Sequence, residues 1–217
     1  FDAQGNLLYS DILSFEAPYL GTFKKLNLST ASVSSYTAPE GIIVYPTQTP
    51  VFANNKWWFA DCQSNKLKSV ALPSMQLEEF PVGGACSDGR GLLASTPDGT
   101  VYHYGREDHI NKITPDGTAS QIALPAGTVW LSALNSTPDG HILMNIAVDN
   151  GDDTYSNTLA RINQAGEIET YYSHVQVGGE DAIVGYSMTM DEDGNTWVGT
   201  YPDVEHADIL PLLTKIS

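Results

Sequence analysis

Asp61, Asp181, His109 and His206 are the side chains of this 217-residue chain whose types and settings suit acid–base or metal-assisted catalysis. His109 closes Glu107-Asp108-His109 and His206 closes Glu205-His206. A carboxylate beside an imidazole can orient the ring or raise its basicity, as a general base requires. Asp11, Asp61, Asp149, Glu180 and Asp181 form the candidate ligand set for a hard divalent cation, Ca2+ or Mg2+, because such ions prefer carboxylate and carbonyl oxygens. No other cofactor is implied. Tyr45, Trp130 and Tyr186 fall near the starts of innermost strands, and Arg90 is one of few cations among the acids. These four are the candidate substrate-binding residues. Each assignment has an ordinary counterpart, a solvated histidine or a loop carboxylate that only confers solubility. The run Asp149-Asn150-Gly151-Asp152-Asp153 is rich in oxygen but lacks the sixth-position glycine and twelfth-position acid of an EF-hand. Cys86, in Gly83-Gly84-Ala85-Cys86-Ser87-Asp88, has no neighbouring base that would make it a nucleophile.

The elements that must position these residues repeat five times. The first register reads FDAQGNLLYSD (1–11), FANNKWWFAD (52–61), STPDGTVYHY (95–104), STPDGHILMN (136–145) and MDEDGNTWVGT (190–200). Their turn anchors, Gly5, Asn55, Gly99, Gly140 and Gly194, recur about every 40 to 55 residues, the period of four-stranded propeller blades. A second register of strand, small polar turn and strand follows each anchor, as in KLKSVALPSMQLEEFPV (66–82) and HINKITPDGTASQIALP (109–125). The pattern predicts an all-β chain, a single β-propeller domain at 1–217 with repeats of approximately 1–40, 41–82, 83–125, 126–175 and 176–217. Hairpins at Asn-Gly, Asp-Gly and Gln-Ala-Gly are expected to place their central residues at positive φ. The chain starts after an innermost strand and stops before an outermost one. Five blades with imperfect closure and an arc of a six- or seven-bladed ring both satisfy that phase.

In a blade, the loop leaving the second strand and the connection to the next blade share one face, where ligands usually bind. Loops at about 11–20, 61–65, 104–109, 147–157 and 201–209, with connections at about 38–44, 82–90, 124–129 and 174–185, hold more than half of the 26 acidic residues. An acidic face would gather cations or a metal ion. The net charge of −16 argues against nucleic-acid and anionic-membrane partners, and no apolar run is long enough to span a bilayer. A small-molecule ligand is the expected partner, and the oligomeric state stays open. Cys62 and Cys86 are placed to join a loop to the next blade by a disulfide, a free pair being the alternative. Asn27-Leu28-Ser29 and Asn135-Ser136-Thr137 match the glycosylation pattern, with Pro138 weakening the second. A start at Phe1 implies a processed or excised chain, and secretion is the expected destination.

Asp-Gly turns followed by an aromatic strand, with Asn65-Lys66-Leu67-Lys68 and Ile113-Thr114-Pro115-Asp116-Gly117, resemble the streptogramin B lyase-like (virginiamycin B lyase-like) propellers over nearly the whole chain. The SMP-30/gluconolactonase-like propellers are a more distant likeness. The first resemblance implies a seven-bladed, magnesium-dependent lyase that opens a cyclic ester by elimination, using a histidine and a glutamate. The glutamate ends the aromatic second strand, a place held here by Asp11 and Asp61, and none of the five histidines begins an innermost strand. The second implies metal-assisted lactone or ester hydrolysis. The expected function is therefore a secreted propeller enzyme acting on a lactone, ester or cyclic natural product. The alternative is a non-catalytic propeller that binds a small molecule or a protein.

Overall fold

The computed structural model describes residues 4–12, 21–37, 50–61, 64–72, 74–80, 82, 91–105, 108–151, 155–172, 176–177, 180–181, 183–191, 193–201 and 212–216. All regular structure among them is β. Strands β1 (Leu7–Ile12), β2 (Gly21–Asn27) and β3 (Ser32–Thr37) form a three-stranded antiparallel meander. β4 (Val51–Ala53), β5 (Lys56–Asp61), β6 (Lys66–Ala71) and β7 (Gln76–Phe80) form a four-stranded one. The next comprises β8 (Leu92–Ser95), β9 (Val101–Tyr104), β10 (His109–Ile113) and β11 (Ala119–Ala123). β12 (Thr128–Ser136), β13 (Ile142–Asp149), β14 (Tyr155–Ile162) and β15 (Ile168–Tyr172) repeat the pattern. A short ladder of β16 (Gln176–Val177) and β17 (Glu180–Asp181) precedes the last sheet, β18 (Ile183–Met190), β19 (Thr196–Tyr201) and β20 (Leu212–Ile216). The chain divides into two compact units, 1–95 with 99–107 and 111–121, and 96–98 with 108–110 and 122–217. No helix among the described residues is long and apolar enough to cross a membrane.

Two turn chemistries make these meanders. Between β4 and β5 a two-residue turn places Asn54 and Asn55 at φ of 54° and 58°, as its twist demands. The Asp-Gly turns differ from the expectation, because only their glycines reach positive φ, at 87° for Gly99, 86° for Gly117 and 87° for Gly140. At Gly117 and Gly140 these are longer loops in which the glycine amide bonds back three residues, from Gly117 to the Thr114 carbonyl at 2.8 Å and from Gly140 to the Thr137 carbonyl at 3.1 Å, and Thr114 N–H then reaches the Thr118 carbonyl at 3.0 Å. The aspartate stays in an ordinary conformation and accepts from the threonine hydroxyl, at 2.6 Å for Thr96–Asp98 and 2.5 Å for Thr114–Asp116. The Thr114 hydroxyl and the Thr118 backbone hold the Asp116 carboxyl below its usual range. Thr-Pro-Asp-Gly is thus a closed hydrogen-bonding unit that consumes its own acid.

The aromatic strand β5 shows why these segments are blades. Successive side chains point to opposite faces, so Trp57 and Phe59 share one face and Trp58 and Ala60 the other. All four are buried. Trp57 and Phe59 pack with Phe23 and Val70, the Phe23 and Trp57 ring centres lying 4.8 Å apart. Trp58 and Ala60 join Leu67, Phe80, Leu93, Val101 and Ile113 in a second cluster, with Trp58 and Phe80 rings at 4.6 Å. A sheet covered on both faces explains why apolar residues run continuously here instead of alternating. In the second unit Ala133, Leu143, Leu159, Met188 and Val198 form a separate aliphatic cluster. The Asn135 amide reinforces it by donating from Nδ2 to the Met188 carbonyl at 2.7 Å, linking β12 to β18.

Candidate functional site

Asp61 ends β5 with only 1% of its side chain exposed, and a cation is buried beside it. Antiparallel pairing sets Phe59 opposite Lys68, which puts Asp61 diagonally across from that lysine. Lys68 Nζ lies 2.6 Å from Asp61 Oδ2 and 3.3 Å from Glu79 Oε1. Ser64 Oγ donates to Asp61 Oδ2 at 2.6 Å. Burial pulls the Lys68 ammonium toward deprotonation, but the hydrogen bonds and charges of Asp61 and Glu79 outweigh it and raise its pKa above the ordinary value. Lys66 and then Lys68 lower that of Glu79. Two lysines and two acids therefore form one charge-matched strip across β5, β6 and β7. Such a buried pair is costly to assemble and more costly to break.

His109 opens β10, and its Nδ1 lies 2.9 Å from Asp108 Oδ1. The Asp108 carbonyl accepts from the Leu124 amide at 2.8 Å, which pins the backbone beneath the pair. The bond to His109 lowers the Asp108 pKa and keeps its carboxylate ionised. An ionised carboxylate only accepts, so Nδ1 carries a proton, and in the neutral ring the lone pair is then on Nε2. That is the tautomer a general base needs.

The remaining candidates are distributed differently. Asp149 ends β13 and receives the Gly151 amide at 2.7 Å on Oδ1, in a local turn. Asp11 stands opposite Thr22 in the β1–β2 pairing, while Asp181 and Glu180 stand opposite Gln176 and Val177 in the short ladder. Trp130 is half-buried beside a register shift in β12. Tyr186 lies within β18. His206, Tyr45, Arg90, Cys62 and Cys86 lie outside the described residues. Asn27 is half-buried at the edge of an exposed turn, whereas the Asn135 amide nitrogen is the one given to Met188.

The described residues do not fit a hard divalent cation at Asp61. A cation bound there would have to displace an ammonium 2.6 Å from the same carboxylate and share its oxygens with Ser64. Among the described residues, no three His, Cys, Asp or Glu side chains are grouped to hold a metal ion.

Three polar features were not singled out from sequence. Lys68 needed the β5–β6 register, which the short connection from Asp61 to Lys66 would have supplied. His103, fully buried, meets Asn111 at 3.4 Å, its directly opposite partner in β10. Asn145, also fully buried, donates to Ser132 Oγ at 2.5 Å. A polar residue inside an apolar strand was the only local sign of either.

No protein-family model and no curated protein sequence matches the chain. Solved structures do. A streptogramin B lyase structure aligns with 82% of this chain at 20% identity and a TM-score of 0.53. The nidogen/laminin complex aligns with 90% of this chain and 70% of its own at 12% identity and a TM-score of 0.54. PorZ of Porphyromonas gingivalis, a surface component of the type-IX secretion system, aligns with 99% of this chain and 34% of its own at 12% identity and a TM-score of 0.57. The fold is that of a β-propeller. This chain spans 54% of the lyase chain, about half its length. At these identities the likeness extends to the fold alone, on which unrelated functions are built.

Proposed function

We propose that this β-propeller is a secreted enzyme that takes a lactone, ester or cyclic natural product at the acidic loop ends of its blades. The carrying observation is the Asp108–His109 pair, which presents a carboxylate-oriented imidazole at the start of a strand whose next residue, Ile110, is fully buried. In this reading His109 Nε2 removes a proton from the substrate or from an attacking water, and ionised Asp108 stabilises the resulting imidazolium. The test is turnover of a panel of cyclic esters and lactones by the intact chain, its His109→Gln variant and its Asp108→Asn variant. His109→Gln is expected to lower kcat by about 10²–10⁴-fold with the fold unchanged by circular dichroism. Unchanged turnover in that variant overturns the catalytic assignment.

One observation favours a second reading. Asp61, among the described residues the acid best sheltered from water, is already matched by Lys68 and Ser64. A non-catalytic propeller that holds a small molecule through rings such as Trp130 and Tyr186 would need no such acid. Under that reading no panel member is turned over, Trp130→Ala weakens ligand association, and a chelator leaves binding unchanged. Chelator-sensitive binding would instead restore a role for Ca2+ or Mg2+ at the other acids.

A further inference from the structure

The two glycosylation triplets occupy opposite structural situations, and we infer that Asn27 is an N-glycan acceptor while Asn135 is not. Asn27 ends β2 and enters the tight turn to β3. Its Oδ1 accepts from Ser29 N at 3.0 Å, Thr30 N at 3.0 Å and Ser29 Oγ at 2.7 Å, whereas its Nδ2 makes no hydrogen bond among the described residues. Three donors on one carbonyl oxygen stabilise the form of the amide that carries negative charge on oxygen, which makes an Nδ2 proton easier to lose. The transfer is a substitution. Nδ2 forms a bond to the anomeric carbon of a lipid-pyrophosphate-linked oligosaccharide, the carbon–oxygen bond to the pyrophosphate breaks, the lipid pyrophosphate leaves, and the Nδ2 proton passes to a carboxylate of the transferase.

The surroundings of Asn27 suit a glycosylated product. Among the described residues three large apolar side chains are conspicuously exposed, and two of them, Leu28 at 57% and Val33 at 51%, flank this turn. A glycan on Asn27 projects from the open turn and shields that apolar surface from water. Asn135 is the reverse case. It lies within β12, and its Nδ2, the atom a glycan would occupy, donates to the Met188 carbonyl at 2.7 Å. A glycan there would replace one of the two protons on a nitrogen already held against β18, and its bulk would push β12 from β18. Pro138, directly after the triplet, works against the second site as well.

The assignment rests on the secreted reading, and the experiment separates the two. The full chain is expressed through a eukaryotic secretory route with a supplied signal peptide, and each asparagine is scored by peptide mass spectrometry before and after amidase release of N-glycans. The expected result is one glycan, on Asn27, lost in Asn27→Gln and in Ser29→Ala, kept in Ser29→Thr, and unaffected by Asn135→Gln. An unoccupied Asn27 or an occupied Asn135 in the folded, secreted product overturns the inference. Because the route is imposed, neither outcome depends on where the native chain resides. The secreted reading fails separately if the chain from its native source is found inside the cell.

Discussion

The β4–β7 sheet and the β12–β15 sheet share a four-stranded meander but fill it with different chemistry. In β4–β7 the strands are three to six residues long, both faces of β5 carry large rings, and a charged pair is sealed at its end. In β12–β15 the first three strands are eight or nine residues long and the interior is aliphatic, with Ile142, Met144, Ile146 and Ile162 at 1% exposure or less. Its buried polar groups, Asn145 and Ser132, are neutral and bonded to each other. A neutral amide needs only hydrogen bonds when it leaves water, while a buried carboxylate needs a counter-charge as well. The repeat thus specifies hairpins and strand pairing, while each blade's interior can change its chemistry without changing its backbone plan.

The largest effect that would break this contrast comes from splitting the charged pair. Asp61→Asn or Lys68→Met alone should cost roughly 3–5 kcal/mol in urea unfolding, because each leaves an unmatched charge or an unmet donor buried. The double variant Asp61→Leu/Lys68→Met should recover most of that loss. Single losses below about 1 kcal/mol would show that the strip is solvated after all. The pair also has a pH signature. Because the folded-state pKa of Lys68 is raised, its stabilisation is fully present below the ordinary lysine value of 10.5 and is lost as pH rises through the higher folded value.

Packing gives the next comparison. Trp57→Ala should cost roughly 3–5 kcal/mol, and Ile142→Val in the longer-stranded sheet only about 0.5–1.5 kcal/mol. Similar losses at the two positions would mean that ring packing carries no special weight in β5. A smaller change tests the turns. A Cβ at Gly99 would stand 2.0 Å from Asn54 Oδ1 with φ held at +87°, so Gly99→Ala should lose about 1–3 kcal/mol. At Gly117 nothing lies within 4 Å, and alanine there should lose less, since only its φ is strained. The smallest effect concerns Asp191, whose pKa is lowered to about 2, first by the Trp197 indole N–H at 2.8 Å and then by Asn195. Its stabilisation is present above the ordinary carboxyl value of 3.8 and fades as pH falls through about 2. The Trp197 indole proton resonance should report that midpoint, and one near 3.8 would remove the bond.

Much of the framework was legible from local residue types. Asn54-Asn55 and the Thr-Pro-Asp-Gly segments marked turns because few other side chains suit those backbone angles or close the same hydrogen bonds. Alternation then located the strands between them. The candidate site was less legible. Asp61 and His109 were recognisable as acids and bases, but the cation that neutralises Asp61 lies on the neighbouring strand, and the two glycosylation triplets read almost alike.

By itself the sequence determined the all-β class, the blade-like repeat, the acidic net charge and the positions of the turns, since each depends on composition or on a residue and its near neighbours. Only tertiary structure decided that the Asp61 charge is already matched by Lys68, that the Asn135 amide nitrogen holds β12 to β18 while that of half-buried Asn27 makes no hydrogen bond among the described residues, and that His103 and Asn145 are buried with polar partners. Those outcomes depend on strand register and on which faces are covered. Both bring together residues far apart in the chain, and whether a polar group is available for chemistry depends on what it meets there.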